Sequence, residues 1–412
     1  MVSEVVSERS EKAEPAPQRP LSVEGRRKIT ILGATGSIGS STLDVIRAHG
    51  GAETFDIKVV AAHRNAAALA ETARELQADV AIVSDEAAYP VLRDALAGSG
   101  TEAAAGPAAL IDGASEPVDW CMAAIAGVAG LEPSIAAARA ASVVALANKE
   151  TLVSGATPFF DALAEGGGFV VPTDSEHSAI FQVFETAAPE AVERVVLTAS
   201  GGPFRTWTAD AIATATPEQA LQHPNWSMGS KITVDSASMF NKALEVIEAA
   251  RLFPVRPDQI EVIVHPQSIV HSMVGYIDGS VLAQLGAPDM RTPIAFALGW
   301  PNRVEAPVER LDFATLSRLD FEAPDEERFP ALRLAREALE QGRGAPCVLN
   351  AANEVAVAAF LGKRMNFGAI PAVVEEALAS PYASEEPADL DAVRSIDSEA
   401  RRIAADAVSQ RG

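Results

Sequence analysis

Two acidic runs are the places where residue types and spacing in this chain could do chemistry. The first is PTDSEHSAIFQ, residues 172–182, where Asp174, Ser175 and Glu176 precede the helical apolar pattern Ile180, Phe181, Phe184. These polar groups stand near a helix N-terminus, with Ser175 as the candidate cap and acids favoured by the helix dipole. A capped helix alone would account for that run. The second run, DSASMFNKALE over 235–245, is expected to begin another helix with apolar Met239, Leu244, Val246 and Ile247. Asn241 and Glu245 are four apart and share one face, with Lys242 alongside. A surface Lys–Glu arrangement has the same spacing, but an amide, an ammonium and a carboxylate together also suit a polar, anionic ligand. Asp174, Glu176 and Glu245 offer three oxygen ligands, and oxygen donors without Cys or His pairs select hard cations such as Mg²⁺ or Mn²⁺. Such an ion can hold adjacent hydroxyl and carbonyl oxygens of a sugar and polarise the carbonyl.

Other segments add to this set. LTASGGPF ends a strand with Ser200 and two glycines, whose hydroxyl and amides suit an anion nest. HPNWSMG is a polar loop with His223, Trp226 and Met228; it reads either as a water-excluding lid or as a loop packed over its own aromatic. Lys149, in LANKE, ends a strand, where open α/β sheets place ligands. Gly33-Ala34-Thr35-Gly36-Ser37-Ile38-Gly39 follows a strand and opens a helix, a variant of the dinucleotide fingerprint. After the second strand, where an NAD site usually carries an acid, the chain has His63-Arg64-Asn65. Arg64 can meet a 2′-phosphate, which favours NADPH, unless it is a solvated loop residue.

The elements that must position these groups are legible in the hydrophobic pattern. Apolar strands at 28–33, 55–61, 80–83, 120–124 and 142–146 alternate with helices at 65–76 and 132–140, which predicts a parallel α/β, Rossmann-like sheet over 28–171. A central domain over 172–301 contains the polar clusters and a hairpin, 270–277 and 280–285, around Asp278-Gly279. A Pro- and charge-rich stretch, 302–330, reads as a linker, and 331–412 has helical periodicity. The first 27 residues mix charges, Pro and Ser and read as a disordered tail, with no signal-peptide or transit-peptide pattern. A length of 412 residues calls for two or three domains, and the net charge of −23 argues against nucleic acid or an anionic membrane as partner. No apolar run reaches the roughly 18 residues of a membrane helix. Cys121 lies in an apolar strand and Cys347 near the C-terminus, which excludes a disulfide framework and disfavours a cysteine-nucleophile dehydrogenase. A non-catalytic NADP sensor would have no use for the acidic triad.

GATGSIGSSTLDVI, LANKE, PTDSEHSAIFQ, LTASGGPF, HPNWSMGSKITVDSASMFNKALEVIEA, GAPDMRTPIAFALGWP and LNAANEVA resemble, in order, the motifs of the 1-deoxy-D-xylulose 5-phosphate reductoisomerases. The resemblance implies isomerisation of that ketose phosphate through retro-aldol and aldol steps, then NADPH-dependent reduction to 2-C-methyl-D-erythritol 4-phosphate in non-mevalonate isoprenoid synthesis. It implies Asp174, Glu176 and Glu245 as ligands of Mg²⁺, Mn²⁺ or Co²⁺, with Lys149 beside the substrate. Ser175, Ser200, His223, Ser236, Asn241 and Lys242 match substrate contacts, and Trp226 and Met228 match a flexible lid. Thr35, Gly36, Ser37, Ile38, Asn65, Asn148, Glu150 and Gly229 match cofactor contacts. A homodimer, a central catalytic domain, a C-terminal helical bundle and a cytoplasmic location are expected. His63-Arg64 stand where many members have Gly-Lys, and Ser230 stands where a basic residue often follows the lid glycine.

Overall fold

The computed structural model describes residues 25–226 and 228–411. Of the expected N-terminal tail, 1–24 lie outside the described residues, and Arg27 already opens a strand. Strand β1 (Arg27–Leu32) is flanked in one sheet by β2 (Phe55–Ala62), β3 (Val80–Val83) and β4 (Glu102–Ala105) on one side. On its other side lie β5 (Trp120–Ala123), β6 (Val143–Leu146) and β7 (Phe169–Pro172). All the pairings are parallel, giving the order β4-β3-β2-β1-β5-β6-β7. The expected Rossmann-like sheet is therefore present. Its strands read as continuous apolar runs because both faces are covered: Ile29 and Ile31 belong to one buried cluster and Leu32 to the other. Strand β4, EAAA, was not legible, since three alanines give no strand signal.

The polypeptide then builds a second, mixed sheet from β8 (Val192–Ala199), β9 (Ile260–Val264), β10 (Val270–Tyr276) and β11 (Val281–Leu285), in the order β11-β10-β8-β9. Strands β10 and β11 form the expected antiparallel hairpin, with Gly279 at φ +87° in its turn. The helices that matter for the site are α1 (Ser37–Ala48), α2 (Lys149–Gly166), α3 (Ser175–Val183), α4 (Ser230–Ser238) and α5 (Phe240–Leu252). Helix α6 (Arg291–Gly299) returns to the first sheet: Trp120 Nε1 donates to Ala297 O at 3.0 Å, and Ile294 and Leu298 join that sheet's core. The C-terminal layer comprises α7 (Ala331–Gln341), α8 (Ala345–Leu361), α9 (Ile370–Leu378) and α10 (Leu390–Ser409), continuous in packing with α2 and α5.

Two local expectations change. The stretch 235–245 is not one helix: Met239 takes a left-handed φ of +64° and separates α4 from α5. Asp235 thus lies inside α4, while Asn241 and Lys242 open α5 as expected. The run 302–330 is not a bare linker, because it holds a short helix, Phe313–Leu316, and Glu322 pairs with Val264 beside the second sheet. Among the described residues no helix is long and apolar enough to cross a membrane.

Candidate active site

Carboxylates converge where the strands of the first sheet end and the second sheet begins. After β6, Asn148 caps α2 by accepting from Thr151 N at 2.8 Å, so Lys149 is the first helical residue rather than the last of a strand. After β7, Asp174 occupies the cap position of α3 with no side-chain cap bond, and Ser175 is the first helical residue. The expected cap, Ser175, instead donates its hydroxyl to Glu176. Freed from capping, Asp174 faces Glu176 and Glu245, and one carboxylate oxygen from each of the three lies within 4.8 Å of the others. The break at Met239 turns α5 so that the fully buried Glu245 points at this spot from below.

Two ammonium groups balance these acids. Lys242 Nζ is 2.7 Å from Glu176 Oε1 and also bonds Glu245, while Lys149 bonds Asp174 and lies 3.4 Å from Glu245 Oε1. Asn241 Nδ2 donates to Glu245 Oε1 at 2.6 Å. Burial alone would raise the Glu176 carboxyl, but the charges of Lys242 and Lys149 outweigh it and bring it down to about 2. Burial lowers the Lys242 ammonium, and Glu176 and Glu245 more than reverse this. Glu176 is therefore held as an anion, and its ion pairs, with those of Asp174 and Glu245, preorganise the three carboxylates.

Two further groups, to which the sequence reading gave no role, lie beneath it. Glu248, one turn beyond Glu245, has its Oε2 3.8 Å from Lys149 Nζ and 3.7 Å from His177 Nδ1. Burial, with Glu245 nearby, pushes the Glu248 carboxyl up to about 8 despite Lys149. His177 Nε2 donates to Glu245 O at 3.0 Å, and burial takes its ring down to about 3, so the imidazole is neutral. A partial signal for Glu248 was available, since it follows Leu244 and precedes Leu252 by four residues each on one helix face.

The opposite wall carries Ser200 and His223. His223 Nδ1 accepts from the backbone N–H of Asn225 at 3.2 Å and of Trp226 at 2.9 Å. Its proton therefore sits on Nε2, 3.0 Å from Ser200 Oγ, and burial lowers the ring's basicity, keeping it neutral. Ser200 Oγ also accepts from Gly202 N at 3.2 Å. With both acceptor positions filled, the Ser200 hydroxyl proton is left to donate into the cleft. Gly202, at φ +65°, lets this loop lie on α4: a Cβ there would meet Ser236 O at 2.6 Å. Asn225 pins the loop to its neighbour through Pro266 O at 2.6 Å and Ser268 Oγ at 3.0 Å.

All these walls belong to one open cleft with a cavity volume of about 320 Å³. It is lined by Lys149, Asp174, Ser175, Glu176, Ser200, His223, Trp226, Met228, Ser236, Asn241, Lys242 and Glu245, and also by Ser37 and Ile38 of the glycine loop. Gly33, at φ +91°, lets that loop pass over β5, where a Cβ would meet Ala124 O at 2.5 Å. The first turn of α1 carries no acid and no side-chain cap, so its amides are available to an anion. Other nucleotide-side expectations fall outside the cleft lining. Thr35 and Gly36 sit earlier in the loop, and Gly229 caps α4. Arg64 is 74% exposed and pairs with Asp85 at 2.6 Å, and Asn65 caps the helix Ala66–Glu75. Asn148 is spent on Ile125 O, Gly127 O and Glu150, and Glu150 is buried.

Three family models match in succession: 1-deoxy-D-xylulose 5-phosphate reductoisomerase over residues 29–156, its C-terminal domain over 170–253, and the DXP reductoisomerase C-terminal domain over 285–403. A curated relative of that name from Rhodospirillum centenum is 57% identical over 393 residues, 95% of this chain and 97% of its own length. The chain belongs to the 1-deoxy-D-xylulose 5-phosphate reductoisomerase family. A solved reductoisomerase from Zymomonas mobilis, in complex with NADPH, superposes with a TM-score of 0.87 at 49% identity, covering 94% of this chain and 99% of that one. A second, in complex with NADPH, fosmidomycin and magnesium, gives 0.89 at 40% identity, covering 93% and 98%. Within this family context the two thiols have no catalytic place: Cys121 and Cys347 are buried, and burial pushes both up to about 12.

Proposed function

We propose that the cleft converts 1-deoxy-D-xylulose 5-phosphate to 2-C-methyl-D-erythritol 4-phosphate, with NADPH on the glycine-loop side and a divalent cation on the carboxylates. The activity is that of the family, and the relatives' complexes with NADPH and magnesium support both groups. The observation that carries the reading is the continuity of one cleft from Ser37 and Ile38 to Asp174, Glu176 and Glu245. Their three convergent oxygens fit a hard cation of the Mg²⁺, Mn²⁺ or Co²⁺ kind. When bound, the cation would polarise the sugar carbonyl and NADPH would supply hydride to the rearranged aldehyde.

The chain's own residues do the rest. Ser200 donates its free hydroxyl proton to an anionic oxygen, held in place by His223, and Ser236 stands on the adjoining wall. Lys242 and Asn241 hold Glu176 and Glu245 in position, and Lys242 adds positive charge toward the phosphate. Lys149, lodged among Asp174, Glu245 and Glu248, is placed to stabilise negative charge on a substrate oxygen. Trp226 and Met228 form the wall that excludes water while the carbon skeleton is broken and remade. On the cofactor side, α1 amides take the pyrophosphate, and Arg64 offers a cation to the 2′-phosphate.

A homodimer is supported by the unpaired edge of β11, where Val281 and Leu282 are exposed beside Ile277 at 72% exposure. A cytoplasmic location is supported by the two unpaired cysteines. The test of function is loss of reduced-nicotinamide absorbance on mixing protein, NADPH and 1-deoxy-D-xylulose 5-phosphate, with Mg²⁺ or with excess chelator. Metal-dependent oxidation is expected. Folded protein that binds NADPH yet oxidises none of it under any divalent cation would overturn the substrate assignment.

A further inference from the structure

The C-terminal helical layer reaches the cleft through one buried amide. Asn353, fully buried on α8 in LNAANEVA, donates from Nδ2 to Asp235 Oδ1 at 2.8 Å. Asp235 is buried on α4, next to the cleft-lining Ser236, and its other oxygen lies 2.8 Å from Lys231 Nζ one turn earlier. Lys231 also reaches Glu150 Oε1 at 3.5 Å, on α2 and next to Lys149. Glu150 Oε2 in turn accepts from Asn148 at 3.0 Å. This relay joins three helices from three parts of the chain, and two of them carry walls of the cleft.

Two buried acids sharing one half-buried ammonium are a poor way to hold helices together, since apolar residues of equal volume do so at less cost. What it does provide is register: the Asn353–Asp235 hydrogen bond ties α4 to α8, and the Lys231–Glu150 ion pair ties α4 to α2, where apolar packing tolerates sliding. That register matters here because α4 begins at Ser230, directly after the loop bearing Trp226 and Met228. We infer that Asn353 is a positioning residue: through Asp235 and Lys231 it sets the Ser236 wall and the loop's anchor against the Lys149 wall. The kinetic part of this inference rests on the function proposed above.

The test uses the full-length chain with Asn353→Ala, and Asn353→Ser as a milder variant that keeps a short donor. The Ala variant is expected to raise KM for the sugar phosphate about tenfold, an effect typical of groups behind a metal site. Turnover should fall by a smaller factor than KM rises, and the Ser variant should lie between. Tm should fall, as for any buried partner removed, but deuterium uptake without substrate should quicken most across 223–236. In a cycle with Asp235→Ala, the double variant should show no further loss in KM beyond the larger single loss. Uniformly faster exchange, an unchanged KM, or additive losses would each overturn the inference. A wild-type chain inactive on the ketose phosphate would instead refute the function, and the exchange pattern would still decide on Asn353.

Discussion

The two halves of the cleft bind charge by opposite means. On the carboxylate side, side chains do everything: Glu245 is fully buried and Lys242 nearly so, and every acid has a placed cationic partner. On the nucleotide side the side chains named by sequence are engaged elsewhere, Arg64 with Asp85, Asn65 as a cap and Asn148 with backbone carbonyls. What faces the cleft there is mostly backbone: a glycine loop and the first amides of α1, with Ser37 and Ile38 beside them. Main-chain recognition tolerates substitution, because the chain's path does not depend on most side chains. Side-chain recognition in a dry pocket does not, since each partner removed leaves a buried charge alone.

Mutagenesis can break or sharpen this contrast. The largest effect is expected from Glu245→Gln, which removes one of three oxygen charges at the centre: turnover should drop on the order of 10²–10³-fold. NADPH affinity should hardly change, and a parallel loss of both would erase the distinction between the halves. Next, Lys242→Met leaves Glu176 and Glu245 buried without their ammonium and should cost about 3–5 kcal/mol in denaturant unfolding of chelated protein. An unfolding midpoint equal to wild type would show that the ion pairs form only in the static structure.

A pH series probes the layer beneath. The Glu248 carboxyl is raised from 4.5 to about 8, so the folded chain binds a proton the unfolded chain has already lost. Stability from this group is complete below about 4.5 and is lost as pH rises through about 8. Glu248→Gln should therefore flatten the fall in Tm of chelated protein over that window. Parallel Tm profiles for the two proteins would contradict the assignment. Smaller still is Arg64→Ala: an exposed ion pair is worth about 0–1 kcal/mol, so KM for NADPH should rise by no more than about fivefold. A far larger rise would place the nucleotide half alongside the carboxylate half. Smallest of all, thiol alkylation of the native protein should leave activity unchanged, because both cysteines are buried.

The sequence made the same two halves legible to different depths. DSE and NKALE singled out the acids because carboxylates near helix starts, with an amide and a lysine on the same turn, suit a polar ligand, although a capped helix or a surface Lys–Glu pair has the same spacing. The glycine loop and β1 were readable from a β-branched run followed by tightly spaced glycines. What escaped was long-range or conformational. Nothing in the sequence announces that Met239 adopts a left-handed φ and splits one helix into two. Asp174 and Ser175 exchange their expected places at the start of α3 because Asp174 is turned toward Glu245, a partner 71 residues away that no local rule contains. Helix α6 reads as part of the central region, yet its apolar face packs against β5, and only folding reveals that return.

The central claim is that Asp174, Glu176 and Glu245 form a single cation site within a cleft that also takes NADPH. Mn²⁺ binding followed by electron paramagnetic resonance tests it most directly, in wild type and in Glu245→Gln, with NADPH affinity measured in parallel. The account requires one tightly held ion per wild-type chain, lost or greatly weakened in the variant, with NADPH affinity preserved. Equal Mn²⁺ binding by both proteins would place the cation elsewhere and contradict it.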